Sequence, residues 1–108
     1  MRTRIVQATL GNLPGILGGG KPVAIDFWAN WCAPCHVMSP ILRDMAEEFG
    51  DRVIFAKVDV DSNRDLAAQF NIWSIPTLIL FKKGKEWHRL RGVKKRAELR
   101  KILGKLAS

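Results

Sequence analysis

The stretch from position 26 to position 36 reads Asp-Phe-Trp-Ala-Asn-Trp-Cys-Ala-Pro-Cys-His and carries the strongest signal for the fold. It begins inside the apolar run Lys21–Trp28, which is typical of a central strand buried on both faces. It ends inside Cys35–Phe49, where apolar residues recur at the spacing of an amphipathic helix. Cys32 and Cys35 therefore lie where a buried strand passes into a long helix. The expected inner face of that helix is formed by Met38, Ile41, Leu42, Met45 and Phe49.

The start of a helix is a favourable place for a reactive thiol. The free backbone N–H groups and the helix dipole present partial positive charge there, and this charge favours an anion. The pKa of the first thiol, Cys32, is therefore expected to fall, which makes it a nucleophile near neutral pH. Cys35 follows within one helical turn, so it can close on Cys32 and release a bound partner.

Seven further segments complete the predicted order of elements, which is β-α-β-α-β-α-β-β-α. They are a strand over Arg4–Ala8, a helix over Asn12–Leu17 with Asn12 as its N-cap, a strand over Arg52–Val60, a short helix capped by Asp61 or Ser62, a strand over Thr77–Lys82, a strand around Glu86–Arg91 and a helix over Lys94–Leu106. This order predicts an α/β fold with a central mixed sheet of four to five strands and helices on both faces.

The composition is that of an ordinary globular domain. The chain has 108 residues, of which 47% are hydrophobic and 26% are charged, so we expect a single domain over residues 1–108. Its apolar runs are far shorter than the roughly 20 residues of a membrane helix, which excludes a transmembrane protein. Only two cysteines are present, which excludes a small protein held together by several disulfides. The N-terminal residues contain no apolar run typical of a signal peptide, so we expect a cytoplasmic protein.

Two charged residues interrupt predicted strands. Asp26 lies within the apolar run Val-Ala-Ile-Asp-Phe-Trp, and Lys57 lies within Val-Ile-Phe-Ala-Lys-Val-Asp-Val. A charge in a buried strand is costly unless it is paired or functional. One interpretation is a buried ion pair between the two residues. The other is that burial raises the pKa of Asp26, which then accepts the proton of Cys35.

The sequence resembles the thioredoxin family. The segment Trp-Cys-Ala-Pro-Cys, ending at Cys35, closely matches the active-site motif of that family, and its flanks match the longer signature. The resemblance covers nearly the whole chain from about Lys21 onward. Further matching features are Lys57, Ile75-Pro-Thr77, the turn Phe81-Lys-Lys-Gly84 and Gly92.

The resemblance implies a thioredoxin fold and a protein-disulfide reductase. Cys32 would be the exposed nucleophile, and the more buried Cys35 would resolve the mixed disulfide and leave a Cys32–Cys35 disulfide. No cofactor besides this redox-active pair is implied. The implied partners are protein disulfides and a thioredoxin reductase, and we expect a monomer. The Ile75–Pro76 bond would be cis and would face the cysteines. The implied docking surface contains Trp31, Ala33, Pro34, Ile75, Pro76 and Gly92, and we also expect Trp73 and Arg91 to bind substrate.

Four residues depart from the usual pattern of the family. Ala33 replaces a glycine, and His36 replaces a lysine or arginine. Trp73 is bulky for a substrate groove, and Arg91 is a charge where the family is often apolar. These differences bear on the range of substrates rather than on the exchange chemistry, so a dedicated partner is an alternative to general reduction.

The same residues allow two metal-centred alternatives. Cys-Ala-Pro-Cys-His is formally the attachment motif of a c-type haem, with His36 and either His88 or a methionine as axial ligands. Cys32, Cys35, His36 and His88 are also formally zinc ligands. We disfavour both alternatives, because the apolar residues form a βαβ core rather than a haem cavity and the Cys-x-x-Cys-His cluster is cramped around one ion.

The positive charge of the chain is concentrated in its last quarter. Residues 1–81 contain 7 Lys or Arg and 8 Asp or Glu, whereas residues 82–108 contain 11 and 2. This excess favours an acidic protein surface as a partner, or it is a solvated helix face without one. Nucleic acid is disfavoured, because Trp87 is the only aromatic residue in the segment and no nucleic-acid motif is present.

Overall fold

The computed structural model describes residues 5–108 and contains the predicted order of elements, with one added 3₁₀ turn. Arg4, the first residue of the predicted edge strand, lies outside the described residues. The elements are β1 (Ile5–Gln7), α1 (Leu13–Gly18), β2 (Val23–Trp28), α2 (Ala33–Phe49), the 3₁₀ turn (Gly50–Arg52), β3 (Ile54–Asp59), α3 (Arg64–Gln69), β4 (Thr77–Lys82), β5 (Lys85–Arg91) and α4 (Arg96–Ala107). None of the helices within this range is long and apolar enough to cross a membrane.

The five strands form one mixed sheet in the order β1-β3-β2-β4-β5. Strands β1, β3 and β2 are parallel, whereas β4 is antiparallel to both β2 and β5. The predicted α/β fold, with parallel strands first and a hairpin last, is therefore confirmed. Strand β2 lies at the centre of the sheet, and the cysteine pair follows directly from its end.

Successive side chains along each strand point to opposite faces of the sheet, and each face has its own hydrophobic core. On one face, strand residues such as Ala24 and Leu80 pack against α2 and α4. On the other face, residues such as Ile25 and Ile79 pack with Leu13 of α1 and Leu66 of α3. The α2 residues predicted to face inward, namely Met38, Ile41, Leu42, Met45 and Phe49, are all buried.

The boundaries of two helices differ from the prediction in a way that matters for the site. Helix α2 begins at Ala33, two residues before the predicted start, so Cys32 occupies the N-cap position. The predicted capping of α3 by Asp61 or Ser62 is wrong, because Asn63 holds the N-cap position and makes no side-chain capping bond. The preceding turn is instead closed by Asp59, whose carboxylate accepts hydrogen bonds from the Asp61 N–H at 3.0 Å and the Ser62 hydroxyl at 3.4 Å.

Candidate active site

The cysteine pair lies at the start of the longest helix. Cys32 and Cys35 form a disulfide with their Cα atoms 5.3 Å apart. Cys32 has an extended backbone, as an N-cap residue requires, and its Sγ accepts a hydrogen bond from the Cys35 N–H at 3.2 Å. The sulfur of Cys32 therefore occupies the place where a helix stabilises negative charge.

Both cysteines are buried in the disulfide form. Cys32 is 4% exposed and Cys35 is 2% exposed, so the expectation of an exposed Cys32 is not met in this state. The reason is the small cluster that the sulfur atoms form with the buried Ala29, against which Trp28, Val60 and Ile75 pack. The difference between the two cysteines therefore lies in what each side chain faces, rather than in how much of it reaches solvent.

Asp26 is buried without a hydrogen-bond partner for its Oδ1 atom. In the parallel ladder it lies opposite Lys57, as the sequence suggested. Burial raises the pKa of Asp26 from 3.8 to about 7, and the positive charge of Lys57 partly opposes this rise. The Lys57 Nζ atom lies 5.0 Å from the centre of the Trp28 ring, and within residues 5–108 Asp26 forms no ion pair. Asp26 and Lys57 therefore do not form a closed ion pair.

A cavity of about 170 Å³ connects Asp26 with Cys35. Lys57 also borders it, whereas Cys32 does not. A polar cavity of this size has room for several water molecules, since one water occupies about 30 Å³ in the liquid. A proton can therefore pass between Cys35 and Asp26 through water. The remaining lining residues are Trp28, Asn30, His36 and Ser39.

The loop before β4 approaches the disulfide from the side. The Ile75–Pro76 peptide bond is cis, and Ile75 packs against the cysteine cluster. The Thr77 hydroxyl donates to the Ser74 carbonyl oxygen at 2.7 Å, and the Gly92 N–H donates to the Pro76 carbonyl oxygen at 2.9 Å. The loop is therefore held by hydrogen bonds both within itself and to the end of β5.

A groove of about 700 Å³ runs beside the disulfide. Trp31, Trp73 and Ile75 line it, and the two tryptophans are 70% and 76% exposed. The remaining residues of the predicted docking surface are not part of its lining. Ala33 and Pro34 are exposed on the first turn of α2.

The two charged residues of the groove were missed by the sequence analysis. Asp61 and Arg64 line the groove, and the Asp61 carboxylate accepts a hydrogen bond from the Trp31 indole N–H at 2.9 Å. Asp61 was considered only as a helix cap. No local pattern links it to Trp31, because the two residues are 30 positions apart and meet only through the sheet.

The residues of the metal-centred alternatives are engaged elsewhere. The His36 Nε2 atom lies 2.7 Å from the Asn30 carbonyl oxygen, and His88 lies opposite Leu80 in the β4–β5 ladder. Within residues 5–108, no group of three or more His, Cys, Asp and Glu side chains is placed to hold a metal ion.

A disulfide between cysteines three positions apart, with a proton acceptor across a small cavity, can open and close again by exchange with an external thiol or disulfide. The fold and the site are therefore those of a dithiol–disulfide exchange protein.

Comparison with known proteins gives the family. A model of the thioredoxin family matches residues 15–105. A thioredoxin of Alicyclobacillus acidocaldarius subsp. acidocaldarius is 46% identical over 91 residues, which are 84% of this chain and 87% of that protein. A bifunctional thioredoxin reductase/thioredoxin of Mycobacterium leprae is 44% identical over 84 residues, which are 78% of this chain and 18% of that longer protein. The crystal structure of Malassezia sympodialis thioredoxin matches with a TM-score of 0.89 at 31% identity, over 99% of this chain and 94% of that chain.

The chain belongs to the thioredoxin family. It is a thiol–disulfide oxidoreductase, a protein-disulfide reductase whose redox-active group is the Cys32–Cys35 pair.

Proposed function

We propose that the protein is a cytoplasmic, monomeric, single-domain reductase over residues 1–108 in which Cys32 attacks and Cys35 resolves. The observation that carries this assignment is the different surroundings of the two sulfurs. The Sγ of Cys32 lies at the N-cap of α2, whereas Cys35 borders the cavity that contains Asp26. The redox-active pair needs no further cofactor for this chemistry.

In the first step, the thiolate of Cys32 attacks one sulfur of a substrate disulfide. The bond between the two substrate sulfurs breaks as the bond to Cys32 forms, and the departing sulfur takes up a proton as a thiol. The partial positive charge at the start of α2 favours the thiolate form of Cys32.

In the second step, Cys35 attacks the Sγ of Cys32 and expels the second substrate sulfur. Asp26 accepts the Cys35 proton through the cavity of about 170 Å³ between them, and a pKa of about 7 suits that role near neutral pH. The charge of Lys57 restrains the rise in this pKa, so Lys57 helps to keep Asp26 ionised when the proton must move. The expelled sulfur leaves as a thiolate and takes up a proton from solvent, so the substrate leaves with two thiols and the protein regains its disulfide.

The groove beside the disulfide supports the docking of an extended substrate segment. Ile75 contacts the cysteine cluster next to the cis-proline, so the backbone of this loop is a suitable partner for a substrate strand. Exposed apolar and aromatic surfaces flank it and supply most of the contact area. We assign this role to Trp31, Ala33, Pro34, Trp73, Ile75, Pro76, Arg91 and Gly92.

A thioredoxin reductase is the proposed source of electrons. The Mycobacterium leprae relative is named a bifunctional thioredoxin reductase/thioredoxin, so the two activities occur in one chain there. For this chain we propose a separate reductase that returns the Cys32–Cys35 disulfide to the dithiol.

Counting released thiols in a single turnover tests the roles of the two cysteines. The pre-reduced protein is mixed with a model protein that contains one accessible disulfide. Wild type is expected to release two substrate thiols per molecule. Cys35→Ser should release one and remain attached to the substrate, and Cys32→Ser should release none. Release of two thiols by Cys32→Ser would refute the assignment.

A dedicated electron donor to one acidic partner is the second candidate function. The excess of Lys and Arg over Asp and Glu in residues 82–108, 11 against 2, favours it. The exchange chemistry would be the same, and only the range of substrates would be narrower.

A further inference from the structure

Arg91 and Trp73 form a cation–aromatic pair beside the cis-proline loop. The guanidinium carbon of Arg91 lies 5.1 Å from the centre of the Trp73 ring. Arg91 is fixed by its backbone, because it lies opposite Thr77 in the β4–β5 ladder and is followed by Gly92, whose N–H bonds the Pro76 carbonyl oxygen. The charge of Arg91 is therefore held close to the loop that contacts the disulfide.

Arg89, two residues earlier on β5, is an arginine in which all three side-chain nitrogens donate hydrogen bonds. Its Nε and Nη2 atoms each donate to a Glu86 carboxylate oxygen at 2.9 Å, and its Nη1 atom donates to the Phe70 carbonyl oxygen at 2.8 Å. The bond from Arg89 is the main reason that the pKa of Glu86 lies below its ordinary value, and the charge of Arg91 contributes less. Glu86 is therefore already engaged by another arginine.

Arg91 has no comparable partner. Within residues 5–108 it forms no ion pair, and its guanidinium lies over the face of the Trp73 ring. A guanidinium that lies over a ring keeps its N–H donors at its edges, where they suit a planar carboxylate. Trp73 is 76% exposed and Arg91 is exposed, so an external group can reach both.

The other charged residues of the groove also favour a ligand with a carboxylate. Asp61 and Arg64 both line the groove. One carboxylate oxygen of Asp61 is occupied by the Trp31 indole N–H at 2.9 Å, whereas Arg64 forms no ion pair among the described residues. The unpaired arginines around the groove therefore favour a substrate segment with negative charge.

We propose that Arg91, seated on Trp73, binds an aspartate or glutamate side chain close to the target disulfide of a polypeptide substrate. This inference rests on the proposed function, because it names a class of substrate for the same groove. The contact selects among substrates and takes no part in the exchange of sulfur. Trp73 is the positioning residue, since its ring holds the guanidinium in place.

Matched peptides test the proposal. Each probe is a short synthetic peptide with one internal disulfide, and it has either a glutamate or a glutamine at one position near the attacked cysteine. That position is moved in turn along both flanks. For at least one position, the wild-type kcat/KM should be about three- to fivefold higher for the glutamate peptide, which is the effect of one exposed ion pair.

The variants assign that preference to named residues. Arg91→Gln should bring the glutamate-to-glutamine ratio to about 1. Lys101→Gln, which removes the same charge from α4 on the opposite face of the sheet, should keep the wild-type ratio. Trp73→Leu should lower the ratio at least about twofold, because the guanidinium loses its aromatic support.

Three results would overturn the proposal: no preference for glutamate at any position, an unchanged ratio in Arg91→Gln, or an equal loss in Lys101→Gln. The glutamine peptides separate this failure from failure of the proposed function. If wild type does not reduce them at all, the reductase assignment is at fault. If it reduces them at the same rate as the glutamate peptides, only the role of Arg91 is wrong.

Discussion

Asp26, the proposed proton acceptor, also affects the stability of the folded protein. Its pKa is about 7 in the folded protein and 3.8 as an ordinary carboxyl, so the folded state binds the proton more tightly. The contribution of Asp26 to the free energy of unfolding therefore falls as the pH rises from about 4 to about 7 and stays low above that range. Burial is the cause, because an ionised carboxylate loses its hydration there.

Replacing Asp26 should remove this dependence on pH. Relative to wild type, Asp26→Asn should gain stability as the pH rises from 4 to 8, by up to roughly 4 kcal/mol at the upper end. Denaturant unfolding of the two oxidised proteins across this range measures the difference. A difference that stays constant with pH would mean that the pKa of Asp26 is not raised by folding.

The site residues that could be predicted are those whose type and spacing stand out within a short segment of sequence. Cys32 and Cys35 were recognisable from their spacing before a helix, and Asp26 from its position in an apolar run. Arg64 was not recognisable, because it reaches the groove only through the folding of α3 against the sheet. The cysteine burial was also unpredictable, since it depends on Ile75 from a distant loop.

The hairpin between β4 and β5 is the element whose backbone most restricts its sequence. Its two loop residues, Lys83 and Gly84, have φ values of 53° and 79°. Two successive positive φ values define the type I′ turn, which favours Asn-Gly. Lysine is therefore a poor choice at the first position, whereas glycine suits the second, because an L side chain is strained at a φ of 79°.

Two substitutions with opposite effects test this turn. Lys83→Asn should raise the free energy of unfolding by up to about 1 kcal/mol, since asparagine tolerates positive φ. Gly84→Ala should lower it by about 1–2 kcal/mol. Lys83→Gln, which removes the charge without favouring positive φ, serves as the control and should change little. Equal gains from Asn and Gln would attribute the effect to charge rather than to backbone conformation.

The elements themselves were predictable, while several of their ends were not. Apolar periodicity located α2 and β4, and β4 has the predicted bounds Thr77–Lys82. The predicted start of α3 was wrong because Asp61 and Ser62 donate hydrogen bonds to the Asp59 carboxylate and form a turn before the helix. The periodicity of apolar residues does not reveal such local competition between side chains for backbone donors.

Across the whole molecule, part of the basic C-terminal quarter is neutralised by folding. The Arg96 Nε donates to Asp44 at 2.8 Å, and the Arg100 Nε donates to Glu48 at 2.7 Å. These pairs connect α4 to α2, a contact between acidic and basic residues that the charge count alone does not show. Arg89 is likewise paired with Glu86, so the positive field that remains comes from Arg91 and the lysines of residues 82–108.

This remaining field should affect the rate of encounter with acidic proteins. Reduction of an acidic protein disulfide should slow by roughly tenfold as salt rises from low to high concentration, because screening acts over about 8–10 Å. Reduction of a small neutral disulfide should change little. Single-turnover rates over one salt series measure both reactions, and equal slopes would mean that the basic surface is only solvated.

We propose that Cys32, not Cys35, is the reactive sulfur of the reduced protein, because it lies at the N-cap of α2. Treatment of the reduced protein with a limiting amount of iodoacetamide near pH 7, followed by peptide mapping, tests it directly. The alkyl group should be found almost entirely on Cys32, with Cys35 left as a thiol. Equal labelling, or preferential labelling of Cys35, would contradict the account.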